Sequence, residues 1–341
     1  MSARKGRGGG AGGHYHVLLC AALLCTVVVV ATLWVITGGA TSGRAAGYVT
    51  KPRPFSRHDS FDCRCPGIPP FDRSRWGVYG TTFPDPAPLP PPDGAEFLVP
   101  NLIHYVWLSG GGAPAAEIEL PHLLGPLSAL AVLRPRRIML HCDRKPTGTW
   151  WDAMFRAVPV VVRVIRAHAA AASPEHAADI ARLDALIEYG GVYLDFDVVA
   201  LRSLDAWRRR PCTLAREGAT LVNSGVIVAE RNSSFLRRWR ASYDADYRPE
   251  SWNYNSGAVP MRMAERDPEQ CHLVDTVWQR YDPAIFRGHV DLSEFYACHL
   301  FLWTWFPTRR PKLRVCDHAL YNSTFGDLMR RFYVESVCRE A

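Results

Sequence analysis

Two aspartates separated by one residue, Asp195 and Asp197, lie within an apolar run that follows a pair of glycines. Because successive side chains of a strand point to opposite faces, this spacing predicts that both carboxylates share one face, with Phe196 on the other. Two buried carboxylates so close together repel each other, and a divalent cation bound between them would offset that cost. Mn²⁺ and Mg²⁺ accept oxygen ligands and keep positions open for phosphate oxygens, so the pair predicts a metal site for a diphosphate.

The elements that would position this pair are also visible in the sequence. Ser173 and Pro174 predict the start of a helix, because serine is a good N-cap and proline suits the first helical position. Apolar residues then recur at three- and four-residue spacing, and Gly190 and Gly191 predict the end of the helix. The nearly continuous apolar run 192–201 predicts a buried strand.

Asp179 and Arg182 share one face of the predicted helix, close to its end. Together with the run Tyr-Gly-Gly-Val-Tyr-Leu-Asp-Phe-Asp, which ends at Asp197, they resemble the sugar-binding region of glycosyltransferases with a DXD motif. The resemblance is to the α-1,4-galactosyl-/N-acetylglucosaminyltransferase and α-mannosyltransferase group, which often has threonine where this chain has Phe196. It extends over about 100–305 and implies a GT-A-like (Rossmann-type) α/β fold, with a mostly parallel sheet flanked by helices.

The resemblance also implies roles for these residues. Asp195 and Asp197 would hold Mn²⁺ (or Mg²⁺) against the diphosphate of a nucleotide sugar. Asp179 and Arg182 would hold the sugar hydroxyls and the phosphate, and Tyr193 is a further candidate for contact with the donor. No protein nucleophile is predicted.

A second segment, 97–111, predicts a strand that resembles the first strand of the same group, with His104 and Trp107 at matching positions. In that fold the end of this strand lines the nucleotide pocket. Val106, Trp107 and Leu108 are therefore candidates for contact with a uracil ring. A packed core histidine and tryptophan are the alternative interpretation.

Three later segments add candidates. Relatives have an asparagine near the sugar, which makes Asn223 a donor contact. The segment 294–306 resembles the group's C-terminal His-x-x-x-x-Trp pattern, and His299 is then a third metal ligand or a phosphate partner, with a hydrogen-bonded core histidine as the alternative. The aromatic and amide-rich stretch 252–260 predicts a loop that either shapes an acceptor subsite or simply forms a turn.

The chain has 341 residues, of which 48% are hydrophobic and 21% are charged. These fractions are typical of a folded protein with one large domain or two small ones, and they exclude a disordered chain. The net charge of +7 is compatible with nucleic acid, an anionic membrane or a phosphorylated donor. The basic clusters 208–210 and 237–240 are interpreted as solvated helix faces, so no nucleic-acid partner is predicted.

The N-terminal third predicts membrane attachment. Residues 17–36 form an uncharged apolar run of about twenty residues, which is long enough to span a bilayer. We expect a retained signal anchor, since a cleaved signal peptide has a shorter apolar region; cleavage near Thr41 is the alternative. The predicted organisation is a cytosolic tail (1–16), a transmembrane anchor (17–37), a Pro/Gly-rich stem (38–96) and a lumenal glycosyltransferase domain (97–341).

Two features favour the lumenal side for that domain. Asn232 and Asn322 begin Asn-x-Ser/Thr sequences, which are acceptors for N-glycans. An even number of cysteines follows the apolar run, which is compatible with disulfides in an oxidising compartment, although the pairs cannot be assigned. These cysteines are Cys63, Cys65, Cys142, Cys212, Cys271, Cys298, Cys316 and Cys338. The expected location is the Golgi membrane, as a single-pass type II protein.

The predicted activity is metal-dependent, retaining transfer of a hexose or N-acetylhexosamine from a nucleotide sugar to a glycan or glycolipid acceptor. A UDP-sugar is favoured as donor, and a GDP-mannose-dependent mannosyltransferase is the first alternative. A non-catalytic carbohydrate-binding protein of the secretory pathway is the second. A glycoside hydrolase is disfavoured, because its two carboxylates flank the glycosidic bond at about 5 to 9.5 Å, whereas these are predicted to be neighbours.

Overall fold

The structure, a computed structural model, describes residues 97–109, 117–169, 171–275, 282–302 and 322–338. The predicted tail, membrane anchor and stem lie outside these residues, as does Trp305 at the end of the predicted resemblance. Among the helices that are described, none combines the length and apolar composition needed to cross a bilayer.

The described residues contain a large and a small β-sheet. The strands are β1 (Leu102–Trp107), β2 (Arg137–Cys142), β3 (Val160–Val164), β4 (Gly191–Leu194), β5 (Val198–Ala200), β6 (Cys212–Glu217), β7 (Leu221–Ala229), β8 (His272–Val274) and β9 (Ala297–His299). The large sheet has the order β3-β2-β1-β4-β7-β6-β8, and β5 pairs with β9 in the small one.

All strands of the large sheet except β7 point the same way. Strand β1 is parallel to β2 and β4, β2 is parallel to β3, and β6 is parallel to β8. Strand β7 runs antiparallel to its neighbours β4 and β6. The predicted mostly parallel α/β sheet is therefore confirmed, and the carboxyl ends of β1 and β4 lie side by side at one edge, where ligands bind in such sheets.

Helices cover both faces of this sheet. They are α1 (Leu124–Ser128), α2 (Thr149–Ala157), α3 (Pro174–Tyr189), α4 (Ser234–Ala245), α5 (Val259–Arg266) and α6 (Thr324–Leu328). Shorter or wider helical turns occupy Leu120–Leu123, Ala129–Leu133, Trp207–Arg209, Tyr254–Ala258, Pro283–Phe286 and Met329–Cys338. The predicted loop 252–260 is thus largely helical, because Tyr254–Ala258 leads directly into α5.

Side chains of the central strands divide between two apolar cores. Val192 and Leu194 of β4 belong to the core that packs against α1, α2 and α6, whereas Tyr193 belongs to the core beneath α3, α4 and α5. This alternation is the two-residue period expected of a strand that is buried on both faces. It explains why the sequence of β4 is apolar throughout.

Helix α3 begins and ends where the sequence predicts. Ser173 caps it, since the serine hydroxyl accepts a hydrogen bond from the His176 backbone N–H at 3.2 Å. Gly190 and Gly191 have φ angles of +65° and +127°. A Cβ on Gly191 would lie 2.5 Å from the carbonyl oxygen of Leu102, so the turn into β4 needs glycine for its backbone angles and for its close approach to β1.

The strand that follows α3 is shorter than predicted. Strand β4 ends at Leu194, residues 195–197 form a turn, and the chain resumes as β5 in the small sheet. The prediction of one continuous strand over 192–201 is therefore wrong. The Asp195 backbone N–H is bonded to the carbonyl oxygen of Gly225 and the Val198 N–H to that of Asp195, which closes the turn. Phe196 points into the first core, as predicted, and is buried.

The cysteines with described side chains lie in the interior. Cys142, Cys212 and Cys271 are buried free thiols, and Cys298 is buried on β9. The side chains of the other four predicted cysteines, Cys63, Cys65, Cys316 and Cys338, lie outside the described residues.

His104 of β1 is a core residue, in agreement with the alternative interpretation of its motif. Its Nε2 lies 2.9 Å from the carbonyl oxygen of Gly190, and its Nδ1 lies 3.0 Å from Nε2 of His141. Because a carbonyl oxygen can only accept, Nε2 of His104 carries the proton and Nδ1 accepts from His141. This chain of bonds fixes the end of α3 to β1 and β2.

Acid is expected to destabilise the fold through this histidine pair. Burial lowers the pKa of His104 to about 4 and that of His141 to about 3. Both values lie below that of an unfolded histidine, so unfolding takes up protons below about pH 6.5, and stability falls as the pH decreases from there. At pH 5 we expect each histidine to lower the free energy of unfolding by roughly 2 kcal/mol.

Chemical denaturation of the detergent-solubilised chain at pH 7.5 and pH 5 measures this effect. In His141→Gln, whose amide still donates to His104, the loss between the two pH values should be smaller by roughly 2 kcal/mol. An equal loss in the variant and the wild-type chain would contradict the prediction.

Candidate functional site

Three side chains that could bind a metal ion converge at the turn after β4. One ligand atom each of Asp195, Asp197 and His299 lies within 4.8 Å of the other two. Nε2 of His299 lies 3.1 Å from Oδ1 of Asp197 and 3.8 Å from Oδ2 of Asp195. The pairing of Val198 in β5 with His299 in β9 accounts for this approach, although the two segments are about a hundred residues apart.

The other oxygen of each carboxylate is held by the protein. The Tyr193 hydroxyl donates to Oδ1 of Asp195 at 2.6 Å, and the backbone N–H of Leu302 donates to Oδ2 of Asp197 at 3.0 Å. These bonds leave Oδ2 of Asp195 and Oδ1 of Asp197 facing His299. The two carboxylates thus converge because of hydrogen bonds and a turn, not because they alternate along a strand.

Charge at this site is balanced by the imidazole. Burial alone would raise the pKa of Asp197, but His299 and the Leu302 N–H outweigh it and bring the value down to about 2. Burial opposes protonation of His299, yet Asp197 and Asp195 raise its pKa above the ordinary value. A divalent cation would stabilise the two ionised carboxylates as the proton on His299 does, because it too supplies positive charge between them.

Gly225 on β7 leaves the space beside these ligand atoms open. A Cβ at this position would lie 2.8 Å from Oδ2 of Asp195, 2.8 Å from Cε1 of His299 and 2.8 Å from Oδ1 of Asn223. Any other residue would therefore press on the ligand atoms themselves. Two carboxylate oxygens and one imidazole nitrogen are donors that suit Mn²⁺, so the residues present fit the predicted metal.

Arg182 of α3 lies against the Asp195 carboxylate, and Asp179 of the same helix pairs with Arg182. Nη2 of Arg182 lies 3.0 Å from Oδ1 of Asp179 and 3.5 Å from Oδ1 of Asp195. Its Nη1 donates to the backbone carbonyl of Ser224 at 2.8 Å, and the guanidinium lies 4.6 Å from the centre of the Tyr193 ring. Arg182 therefore links α3, β4 and β7 around the site.

Asp179 is held at the inner end of this network. Burial raises its pKa to about 6, although Arg182 acts in the opposite direction. Asp179 and Arg182 are each 8% exposed. Their described contacts are thus with protein groups that orient Asp195.

Asn223 lies at the edge of the same cluster. Its Oδ1 accepts from the backbone N–H of Gly225 at 2.8 Å, and its Nδ2 lies 3.1 Å from Oε2 of Glu217. Burial raises the pKa of Glu217, while the nearby His299 acts against this rise. Glu217 is an acidic neighbour that the sequence analysis missed, because only the β6–β7 hairpin brings it to Asn223.

The three candidates at the end of β1 separate between the two faces of the sheet. Val106 is buried in the core beneath α3, and Leu108 packs at the border of that core. Trp107 faces the other side, where its ring centroid lies 5.1 Å from that of Phe196. Phe196, the middle residue of the DXD turn, therefore ties this turn to the end of β1.

Replacing Tyr193 by phenylalanine is expected to weaken Mn²⁺ binding without unfolding the protein. The ring stays in its core, but the hydroxyl that holds Oδ1 of Asp195 is lost. Loss of such a supporting bond typically costs roughly 10- to 100-fold in metal affinity. Titration calorimetry with Mn²⁺ measures the effect.

Tyr254→Phe is the matched control, because the Tyr254 hydroxyl also donates to an aspartate, Asp246, at 2.6 Å, but at an exposed position. We expect the control to keep the wild-type affinity. Equal affinities in Tyr193→Phe and the wild-type chain would show that this hydroxyl does not orient the site.

Residues 151–214, which include α3, β4 and both aspartates of the turn, match the family model described as "Glycosyltransferase sugar-binding region containing DXD motif". The chain is 31% identical to glucan organizing enzyme 1 of Cryptococcus neoformans var. grubii, in a match that covers 55% of this chain and 56% of that protein. It is 33% identical to an uncharacterized protein of Arabidopsis thaliana, over 27% of this chain and 14% of that protein.

Among solved structures, mouse xyloside xylosyltransferase 1 in its apo form aligns with a TM-score of 0.35 and 13% identity, covering 60% of this chain and 98% of that one. The match to glucan organizing enzyme 1, by contrast, spans little more than half the length of that fungal protein. The family match falls on the segment that supplies Asp179, Arg182, Tyr193, Asp195 and Asp197. Residues 151–214 of this chain are therefore similar to the sugar-binding region of the DXD-motif glycosyltransferases.

Proposed function

We propose that the protein is a metal-dependent glycosyltransferase that moves a hexose or N-acetylhexosamine from a UDP-sugar to a glycan or glycolipid acceptor. The observation that carries this proposal is the convergence of Asp195, Asp197 and His299 within 4.8 Å, in a chain whose residues 151–214 match the DXD sugar-binding region. The fungal relative is named a glucan organizing enzyme, which agrees with a carbohydrate acceptor. Within the DXD families, we assign the chain to the α-1,4-galactosyl-/N-acetylglucosaminyltransferase and α-mannosyltransferase group.

The roles of the side chains follow from the site. Asp195, Asp197 and His299 would hold Mn²⁺, and Tyr193 and Arg182 keep the Asp195 carboxylate in one orientation. When bound, Mn²⁺ supplies positive charge that stabilises the diphosphate leaving group. Asn223, beside Gly225, would contact the donor sugar, which would hold the donor for attack by an acceptor hydroxyl. We expect the transfer to retain the anomeric configuration.

The location we propose is the Golgi membrane, with residues 17–37 as the anchor, 38–96 as the stem and the catalytic domain in the lumen. Asn232 and Asn322 are both exposed, as acceptors for N-glycans must be. Digestion of the secretory protein with an N-glycosidase should therefore lower its apparent mass. An unchanged mass would count against use of these two sites.

A donor screen tests the proposed activity most broadly. The detergent-solubilised full chain is incubated with Mn²⁺ and one of UDP-Gal, UDP-GlcNAc, UDP-Glc or GDP-Man, and release of the nucleoside diphosphate is measured. We expect release from one UDP-sugar, and its loss when Mn²⁺ is removed with a chelator. Release from GDP-Man alone would favour the mannosyltransferase alternative, whereas binding of a nucleotide sugar without turnover would favour a carbohydrate-binding protein.

A further inference from the structure

Two cysteines lie side by side on neighbouring strands at the edge of the large sheet, far along the chain from one another. Strands β6 and β8 are parallel, with Thr213 opposite His272. The residues directly before these partners are Cys212 and Cys271. Adjacent positions of parallel strands point to the same face and are separated by about 5 Å, a spacing within the Cα range of disulfides.

The surroundings of the two thiols agree with this register. Both cysteines are fully buried and belong to the same apolar core, beneath α4 and α5. Burial, together with the neighbouring Cys212, raises the pKa of the Cys271 thiol. Two thiols on one face of adjacent, paired strands need no backbone movement of the kind that separated cysteines would require.

We propose that Cys212 and Cys271 form a structural disulfide when the chain folds in an oxidising compartment. The pair would join β6 to β8, which lies at the edge of the sheet. An edge strand of three residues, His272–Val274, gains most from such a bond, because within the described part of the chain it has a hydrogen-bonded partner strand on one side only.

The oxidation proceeds by thiol–disulfide exchange with an oxidised dithiol protein or glutathione disulfide. One cysteine thiolate attacks the disulfide of the oxidant and releases its first thiol, and the second cysteine then attacks the mixed disulfide and releases the other. Two protein S–H bonds are thus replaced by one S–S bond, and the oxidant takes up two electrons and two protons. Burial raises the pKa of the Cys271 thiol, so the folded chain offers little of the reactive thiolate. The exchange therefore takes place during folding, before β8 covers the two cysteines.

A cavity lies beside this position in the folded chain. A volume of about 360 Å³ is lined by Cys271 together with Arg216, Glu265 and His272. Cys142, at the end of β2 in the other core, is a buried thiol at a different site and serves as the control.

Peptide mapping of the full chain, produced through a secretory pathway, tests the proposal. The protein is unfolded in N-ethylmaleimide without reductant, digested with trypsin and analysed by mass spectrometry. We expect the peptides of Cys212 and Cys271 to appear as one linked species that separates after reduction, whereas Cys142 carries the label from the start. Labelling of both Cys212 and Cys271 before reduction, or linkage of either to another cysteine, would overturn the proposal.

Thermal unfolding supplies an independent measurement. Closing the loop between these residues should raise the melting temperature, and reduction of the wild-type chain should lower it by roughly 5 to 15 °C. The decrease on reduction should be smaller by this amount in Cys271→Ala but unchanged in Cys142→Ala. Identical decreases in the wild-type chain and Cys271→Ala would also overturn the proposal, and the peptide map decides the matter if that variant does not fold.

Discussion

Asparagine in place of Asp197 is expected to reduce kcat/KM by about a thousandfold or more, with little change in the fold. The amide oxygen can still accept from the Leu302 N–H, which now bonds Oδ2 of Asp197 at 3.0 Å. The amide nitrogen would then replace the oxygen that faces His299, and an amide N–H cannot serve as a metal ligand. A bound metal ion stabilises the charge of the transition state by several kcal/mol, and loss of that stabilisation corresponds to this decrease in rate.

The same reasoning applies to Asp195→Asn, whose amide oxygen can still accept from the Tyr193 hydroxyl. Asp244→Asn is the control, because the Asp244 side chain is 63% exposed and pairs with Arg240 on the surface of α4. Nucleoside diphosphate release with Mn²⁺ and circular dichroism are measured on all three variants. Turnover near the wild-type rate in either site variant would show that the reaction does not depend on a metal held by these aspartates.

Alanine in place of Gly225 is expected to reduce kcat/KM by about a hundredfold. The added Cβ would lie 2.8 Å from an atom of each of three site residues, Asp195, Asn223 and His299. None of these side chains can retreat without giving up a described contact, so the ligand atoms must move apart. A displacement of about 1 Å in a catalytic constellation can cost this factor.

Gly288→Ala is the matched control, since a Cβ at Gly288 would have no heavy atom of the described residues within 4 Å. We expect the control to keep the wild-type rate, and Gly225→Ala to bind Mn²⁺ more weakly while melting within a few degrees of the wild-type chain. A Gly225→Ala protein with unchanged Mn²⁺ affinity and rate would contradict the geometry assigned to the site.

Local patterns predicted the elements around the site well. The cap at Ser173, the glycine pair at 190–191 and the continuous apolar sequence of β4 depend on neighbouring residues, and the structure has them as expected. The end of β4 was not predictable in this way. The residues after Asp197 are as apolar as those before it, and only the pairing of β5 with β9 separates them into a second sheet.

Most features of the site that the sequence did not predict depend on contacts between different strands. His299 reaches Asp197 through that same pairing. Glu217 is only six residues from Asn223 along the chain, but their contact depends on the β6–β7 hairpin. A family resemblance suggested His299, but spacing along the chain could not have done so. The position of Gly225 against three site residues likewise depends on which strand lies beside β4.

Binding of Mn²⁺ to the isolated full chain tests the central claim most directly. Electron paramagnetic resonance of Mn²⁺, titrated against the wild-type chain, Asp197→Asn, His299→Ala and Asp244→Asn, reports the free ion and hence the number bound. We expect one saturable site in the wild-type chain and in Asp244→Asn, and its loss in the other two variants. Absence of saturable binding in the wild-type chain, or equal binding in Asp197→Asn, would contradict a metal site at this turn.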